Sequence, residues 1–388
     1  MQIVMRRGYL IVRKITLCNE DCLNTMQRIA KHSPNSVDIV LTSPPYNINR
    51  QVGGRGGVKD RGYEVMVNSS ENLLLTNEYI RSPIFYMGNK FRLLPKLVPL
   101  FPKDVATFYD VFGGSGCVAA NAVAKRVVYN EINPNIVNLH KMFQENGAEW
   151  VDSQITKYIK QYNLNSEGIC VQQNNPNTAE ARTHYEENYL KFREAYNHSQ
   201  RDIAMLYTLT FYSFSNLIRF NSKNEFNMPY GNRCYTQEHR YIINRWCSAL
   251  AKRPFEILNR DAFDVLADVY NSGNTKDFVY CDCPYFNTMA IYNESRAFGG
   301  WSIDDDYRLF KWLEDLDSHN IRWGLSNVFT NKGNVNQHLI DWCTEHNWKV
   351  RHLDFTYSSL GKGNANSDEV YVSNYVADEP ELNQFSLF

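Results

Sequence analysis

Two kinds of apolar pattern alternate along this chain. Short unbroken apolar runs predict buried strands, and apolar positions three or four apart predict helices. At the start, "MQIVMRRGYLIVRKI" reads as a strand and "EDCLNTMQRIAKH" has helical spacing. "VDIVLT" is a buried-strand run that stops at Ser43-Pro44-Pro45-Tyr46, where two prolines forbid continuation. Residues 51–80 carry Gly53, Gly54, Gly56, Gly57 and Gly62 without periodicity and predict a flexible linker. Dense patterning resumes at 81. "VATFYDVF" predicts a strand that ends in Gly113-Gly114-Ser115-Gly116, "CVAANAVAK" a helix, and "RVVYNEI" a second strand. Residues 146–255 are more polar. There 170–182 reads as loop, "NYLKFREAYN" and "DIAMLYTLTFYSFSNLI" as helices, and turn-rich "RFNSKNEFNMPYGNR" as a β-hairpin. Residues 256–376 return to alternating strands and helices and close on "DEVYVSNY"; 377–388 is an acidic, loose tail.

The implied organisation is an N-terminal segment (1–50), a linker (51–80), an α/β layer built from 81–145 and 256–376, and an insert at 146–255. A length of 388 residues fits two or three such units at roughly 150 residues each. Lys and Arg number 41 against 42 Asp and Glu, which excludes a polycation; contact with an acidic polymer has to come from a local patch. The nine cysteines form no disulfide framework, so a reducing, cytoplasmic setting is expected. Cys18/Cys22 and Cys281/Cys283 are close pairs, but neither joins a second pair at zinc spacing, and no metal is expected. No run approaches the ~20 apolar residues of a membrane span, and the N-terminus lacks a signal-peptide core.

Two turns carry the chemistry. In "DVFGGSGCV", Asp110 to Val118, glycines after a strand let the backbone approach a ligand, and the next helix offers free N–H groups. The turn alone serves a structural role equally well. The following strand ends at Glu131, where such folds hold ribose hydroxyls; the plain alternative is a solvated strand-end carboxylate. No Gly-Lys-Ser/Thr is present, and Gly-Gly-Ser-Gly is not the dinucleotide fingerprint, so a ligand without pyrophosphate is expected. The second turn, Asp282-Cys283-Pro284-Tyr285, follows the apolar "DFVY". It suits methylation of an exocyclic amine, whose lone pair is delocalised into its ring. The Asp282 carboxylate and the Cys283 carbonyl can accept the two amine protons, and Tyr285 can stack on a base that has left the duplex. The plain alternative is a strand-ending turn with a surface Asp.

These segments, with others in the same order, resemble the Dam-type, alpha-class adenine-N6 DNA methyltransferases over about three quarters of the chain. "PIFYMGNKFRLLPKL" is similar to the family's methionine-donor motif, "FYDVFGGSGCV" and "NEINPNIVNLH" to its S-adenosyl-L-methionine loop, and "IRFNSKNEFNMPYG" to its DNA-reading hairpin. "VYCDCPYFN" stands at the catalytic motif, and "LSNV" and "DEVYVSNY" close the set. The resemblance implies a class I S-adenosylmethionine-dependent methyltransferase sheet, Rossmann-like, with an inserted helical and β-hairpin recognition domain. It also implies roles. Tyr86 and Lys90 would lie near the methionine end of the cofactor, Asp110, Gly114 and Gly116 would shape its loop, and Glu131 would hold its ribose. Asp261 and Phe263 would meet its adenine, and Asp282, Pro284 and Tyr285 would carry the reaction. The family usually has Pro where this chain has Cys283. The backbone carbonyl survives that change and one ring constraint is lost. A nucleophilic Cys283 is disfavoured, because no activating His or Lys lies nearby in sequence.

Residues 219–253 concentrate Arg219, Lys223, Arg233, Arg240, Arg245, Lys252 and Arg253 against Glu225 and Glu238. Such a patch would position phosphates, and an Arg there could read guanine; the plain alternative is a solvated basic face. Leu217, Arg219 and Pro229 fall at positions similar to the target readers of GATC methyltransferases, with Asn221 and Arg233 completing the candidate DNA-contacting set. The implied partners are double-stranded DNA and, in a bacterial or phage setting, a companion restriction endonuclease. Ser43-Pro44-Pro45-Tyr46-Asn47 and the residues before it resemble the opening of the beta-class amino-methyltransferases. The linker is too short to hold the rest of such an enzyme, so this segment reads as a remnant or accessory subdomain. Competing expectations are a cytosine-N4 methyltransferase, a catalytically decayed DNA- or cofactor-binding protein, and a dinucleotide oxidoreductase.

Overall fold

The computed structural model describes residues 3–6, 9–12, 79–166, 179–285, 300–331, 333–353 and 367–377. The chain divides into two compact units, Met1–Tyr63 and Glu64–Phe388. In the first, β1 (Ile3–Arg6) and β2 (Tyr9–Val12) pair antiparallel, with Ile3 opposite Val12. The single strand expected there is thus two, and the sequence has Gly8, a turn-permissive residue, between them. The helix expected at 20–32, the strand at 37–42, Ser43–Tyr46 and the 378–388 tail lie outside the described residues. So does the 51–80 linker apart from its last two residues, where the Ile80 amide donates to Asn121 Oδ1 at 2.7 Å.

In the second unit one sheet gathers β3 (Val105–Asp110), β4 (Ala124–Asn130), β5 (Phe255–Leu258), β6 (Phe278–Cys281), β7 (Arg322–Asn331), β8 (Asn334–Val335), β9 (Lys349–His352) and β10 (Ser367–Ser373). The order is β5-β4-β3-β6-β7-β10-β9, with β8 on β7. Strands β5 to β7 along this order are parallel, and β10 runs antiparallel between β7 and β9. This mainly parallel α/β sheet is consistent with the class I methyltransferase sheet that the sequence led one to expect. Parallel strands covered on both faces need apolar side chains throughout, and every residue of β6 is buried. One face packs Phe101, Phe108, Tyr280 and Tyr371 in a core that continues into Tyr207, Phe211 and Tyr235 of the 146–255 region. The other packs Val279, Cys281 and Trp323 beneath α7 (Ala262–Ser272), α8 (Ile303–Ser318) and α9 (Gln337–Glu345). Strand order reverses between β3 and β6, and the crevice beyond their carboxyl ends is where such sheets bind ligands.

Several local elements differ from the pattern-based reading. Helix α1 (Leu94–Leu97) is short, and so is α2 (Cys117–Asn121), five residues rather than the nine of "CVAANAVAK". The Asn121 amide donates to the carbonyls of Cys117 and Ile80, and Ala122 is already extended so that the chain can enter β4. Helix α3 (Pro134–Gln161) is broken at Gly147, φ 74° and ψ 175°. Helix α4 (Ala179–Asn197) is longer than expected. Helix α5 (Ile203–Tyr212) ends at Ser213 instead of running on to Ile218. Ser213 bridges Tyr230, and Ser215 and Asn216 are both left-handed at φ 57°. Short polar side chains that bond locally make such a break cheap. The expected hairpin takes the form of a single Phe220–Phe226 bridge, closed where the Asn221 amide donates to the Glu225 carbonyl at 2.9 Å. The basic stretch after it is helical, α6 (Gln237–Ala251), opened by a Thr236–His239 capping box.

Candidate active site

Strand β3 delivers Asp110 and the glycine turn, and β6 beside it delivers Asp282–Tyr285. A single cavity of about 590 Å³ joins them. It is lined by Gly113, Gly114 and Ser115 on one side, Asp282, Cys283, Pro284 and Tyr285 on the other, and the Tyr86–Lys90 run between. Glu131, Asp261, Phe263, Trp301, Arg308 and Glu369 line it as well. Sequence-distant residues are therefore brought together by the order of the strands.

The glycine turn has no room for a side chain at three points, for a Cβ added at Gly113 would stand 2.1 Å from the Tyr129 ring, and Gly114 and Gly116 are left-handed besides. Gly114 has φ +49° and an added Cβ would stand 2.9 Å from the Tyr86 ring. Gly116 has φ +75° and would meet Trp246 and His140 at 3.0 and 3.1 Å. A left-handed L-residue costs roughly 1–2 kcal/mol before any clash. The Gly114 carbonyl accepts from Tyr129 Oη at 2.7 Å and faces His140 Nε2 at 3.4 Å. Its amide donates to Glu131 Oε2 at 2.9 Å, while Glu131 Oε1 accepts from the Asn133 amide. Burial drives His140 down to about 3, so the ring is neutral and Nε2 can donate.

Acidic groups dominate the cavity. Asp110 accepts from the Ala119 amide through Oδ2, and its buried Oδ1 has no partner among the described residues. Burial, with the Asp282 and Glu131 carboxylates nearby, pushes Asp110 up to about 8. Glu131 is also raised by burial. Lys90, 6% exposed, supplies positive charge, its Nζ 2.7 Å from Asp282 Oδ1. Tyr285 Oη donates to the same oxygen at 3.1 Å, and Lys90 Nζ sits 5.0 Å from the Tyr285 ring centre. Cys283 is 2% exposed, and its Sγ faces Asn327 Nδ2 at 3.7 Å. Burial holds that thiol well above its ordinary range, which keeps it protonated and unreactive.

At the far end Asp261 caps α7 by accepting from the Phe263 amide at 2.8 Å. The Phe263 ring is stacked on Trp301 at 6.0 Å and 14°, with the Arg308 guanidinium 3.9 Å above it. An unpaired buried carboxylate oxygen, a glycine cradle and an aromatic slot suit a polar ligand that carries a flat ring. Among the described residues no His, Cys, Asp and Glu cluster could hold a metal ion, and no helix is long and apolar enough to cross a membrane.

Residues 86–352 match the family of D12 class N6 adenine-specific DNA methyltransferases. The chain belongs to this family. It is similar to the modification methylase StsI of Streptococcus sanguinis, 32% identical over 306 residues, or 77% of this chain and 44% of that protein. It is similar to the type II methyltransferase M.FokI of Planomicrobium okeanokoites, 30% identical over 77% of this chain and 44% of that one. The DNA adenine methylase of Escherichia coli K12 is 25% identical over 55% of this chain and 68% of its own length. The chain thus spans less than half the length of the first two relatives. A methyl donor is implied by membership of the family.

The candidate DNA-contacting residues lie apart from the cavity lining. Arg219, Pro229 and Arg233 are exposed, and Leu217 and Asn221 are half-buried. Arg219 is held against Asn227 by Nε at 2.8 Å, and Arg233 Nη1 donates to Asn216 Oδ1 at 2.6 Å. Asn221 closes the hairpin, accepting from the Lys223 and Glu225 amides. Further members of the basic patch are also engaged within the protein: Arg240 pairs with Asp152, and Arg253 donates to the Ala119 carbonyl. Sequence reasoning passed over Trp301, Arg308, Tyr129, His140 and Glu369. Of these, Glu369 had a signal, an acidic residue leading directly into the apolar run Val370-Tyr371-Val372 of β10.

Proposed function

We propose that this chain transfers a methyl group from S-adenosyl-L-methionine to the N6 amine of an adenine swung out of duplex DNA. The observation that supports it is the single cavity shared by the glycine turn and the Asp282–Tyr285 turn, in a family member with Lys90 paired to Asp282. When bound, S-adenosylmethionine supplies a methyl group made electrophilic by its sulfonium. Tyr86, Asp110, Gly114, Gly116 and Glu131 would hold its amino-acid and ribose parts, and Asp261 and Phe263 its adenine. Asp282 and the Cys283 carbonyl each accept a hydrogen bond from one N–H of the target amine, which localises the nitrogen lone pair toward the donor, and the proton that the methylated nitrogen must shed leaves through the Asp282 carboxylate to solvent. Lys90 and Tyr285 share Oδ1 of Asp282, so the other carboxylate oxygen is left for the base. Pro284 stiffens the turn, and the Tyr285 ring stacks on the base.

Leu217, Arg219, Asn221, Pro229 and Arg233 would meet the DNA, with GATC as the sequence read. Relatives named as modification and type II methylases support a place beside a companion restriction endonuclease. Incubation with tritiated S-adenosylmethionine and duplex DNA should yield labelled N6-methyladenine. Asp282→Ala should lower turnover by about a hundred- to a thousandfold while DNA binding persists. N4-methylcytosine in the digest would overturn the base assignment, and binding without turnover in the native protein would make it a decayed enzyme. Single-molecule sequencing of DNA from expressing cells reads the flanking letters and tests GATC directly.

A further inference from the structure

Glu369 stands on β10, in the closing segment "DEVYVSNY" to which no role was given above, and it lines the cavity beside Asp282 and Tyr285. It is 6% exposed, and its Oε2 is buried without a partner among the described residues. The pairing of β10 with β7 slips at this point. Asp368 opposes Thr330 and Glu369 opposes Val328, so Phe329 is passed over. Bulges of this kind re-aim a side chain beside a site. The groups that face Glu369 from the segments packed on it are Lys90, Asp282 and Tyr285, whose hydroxyl bonds with its carboxyl. On its own strand Asp368 is occupied by His352 of β9 at 2.7 Å.

The arrangement poses a counting problem. Tyr285 Oη carries one proton and has two carboxyl neighbours, Asp282 Oδ1 at 3.1 Å and Glu369. Asp282 has the close ammonium of Lys90, so it is the better anion. A buried Glu369 anion and a half-buried Asp282 anion facing one hydroxyl repel, and the more buried of them relieves this by taking up a proton. We propose that Glu369 is a positioning residue for the reactive turn, a neutral carboxylic acid that donates to the Tyr285 hydroxyl while Tyr285 donates to Asp282. The donors then run one way, Glu369 to Tyr285 to Asp282. This fixes the Tyr285 ring and keeps Asp282 an acceptor. Burial, with Asp282 nearby, raises the Glu369 carboxyl against the lowering pull of Lys90 and of the Tyr285 hydroxyl, and burial holds that hydroxyl well above the ordinary phenol range. The proposal rests on the reading of Asp282–Tyr285 as the base-holding turn.

Two measurements test it on the full chain. Difference infrared spectra of the cofactor-free protein against Glu369→Gln should show a protonated-carboxyl C=O stretch at neutral pH that is absent from the variant. Lack of that band overturns the proposal, whatever the protein's activity. Single-turnover methyl transfer followed with rising pH should fall about tenfold in the native protein once Glu369 ionises. Glu369→Gln, whose amide donates at every pH, should hold its rate, and Glu369→Ala should be about tenfold slow throughout with an unchanged KM for the cofactor. Superimposable alkaline limbs for the native and Gln proteins sink it. No transfer by the native protein at any pH sinks the methyltransferase reading instead and leaves the infrared result to decide Glu369.

Discussion

Asp110 shows how a single side chain can set the pH response of this protein. Its carboxyl is buried, lacks a partner for Oδ1, and is pushed from its ordinary 3.8 up to about 8. Glu131 and Glu369 are raised in the same direction, each chiefly by burial. A group raised on folding keeps its proton in the native state after the unfolded chain has released it. Its contribution to stability is full below 3.8 and is lost as pH climbs through about 8. The cofactor-free protein should therefore lose stability across that window, at up to about 1.4 kcal/mol per pH unit for each group that holds a full proton. Denaturant midpoints measured at several pH values check this. Asp110→Asn, which cannot ionise, should flatten the slope; a slope equal to the native one would mean that Asp110 is not the group responsible.

Elements were legible in the sequence where the signal was local. The runs "VATFYDVF" and "DFVYCDCPY" lead to Gly113 and Pro284, and β3 and β6 stop just short of them, at Asp110 and Cys281. The end of α5 was not legible, because its break at Ser213 depends on a bridge to Tyr230, seventeen residues on. Trp301 and His140 were invisible for a related reason, since their neighbours Phe263 and Gly114 are supplied by other segments. The glycine turn carries its own test. Gly114→Ala adds a Cβ 2.9 Å from Tyr86 at φ +49°, so the loop should deform. A cost of roughly 1–2 kcal/mol predicts about tenfold weaker binding of S-adenosylmethionine by calorimetry, with the fold retained. Unchanged affinity would place the cofactor elsewhere. In the hairpin Arg219 is exposed and pre-set by Asn227. Arg219→Ala should relax discrimination among duplexes that differ by one base pair, by about 1–3 kcal/mol, as read from methylation rates on a substrate panel. A uniform loss across the panel would make Arg219 a phosphate contact instead.

The two motif-bearing parts of this chain are unequal in support. The match to the family spans 86–352, and within it lie both cavity turns and all five parallel strands of the sheet. The core on one sheet face runs unbroken into helices of the 146–255 region, so sheet and insert share one set of packing contacts. The 146–255 region reaches the glycine turn directly, for Trp246 of α6 packs 5.3 Å from His140, which faces Gly114. Ser43–Tyr46 falls in the separate Met1–Tyr63 unit. A turn that grips an amine works only beside a cofactor loop, and Gly113, Gly114 and Ser115 already line the same cavity as Asp282. Tyr46→Ala in the full chain should therefore leave methyl transfer within about twofold of native, whereas Asp282→Ala should lower it by about a hundred- to a thousandfold. Paired rate measurements with tritiated donor decide the matter. Loss of transfer in Tyr46→Ala with Asp282→Ala still active would move the reaction to the N-terminal turn and make Asp282 the accessory.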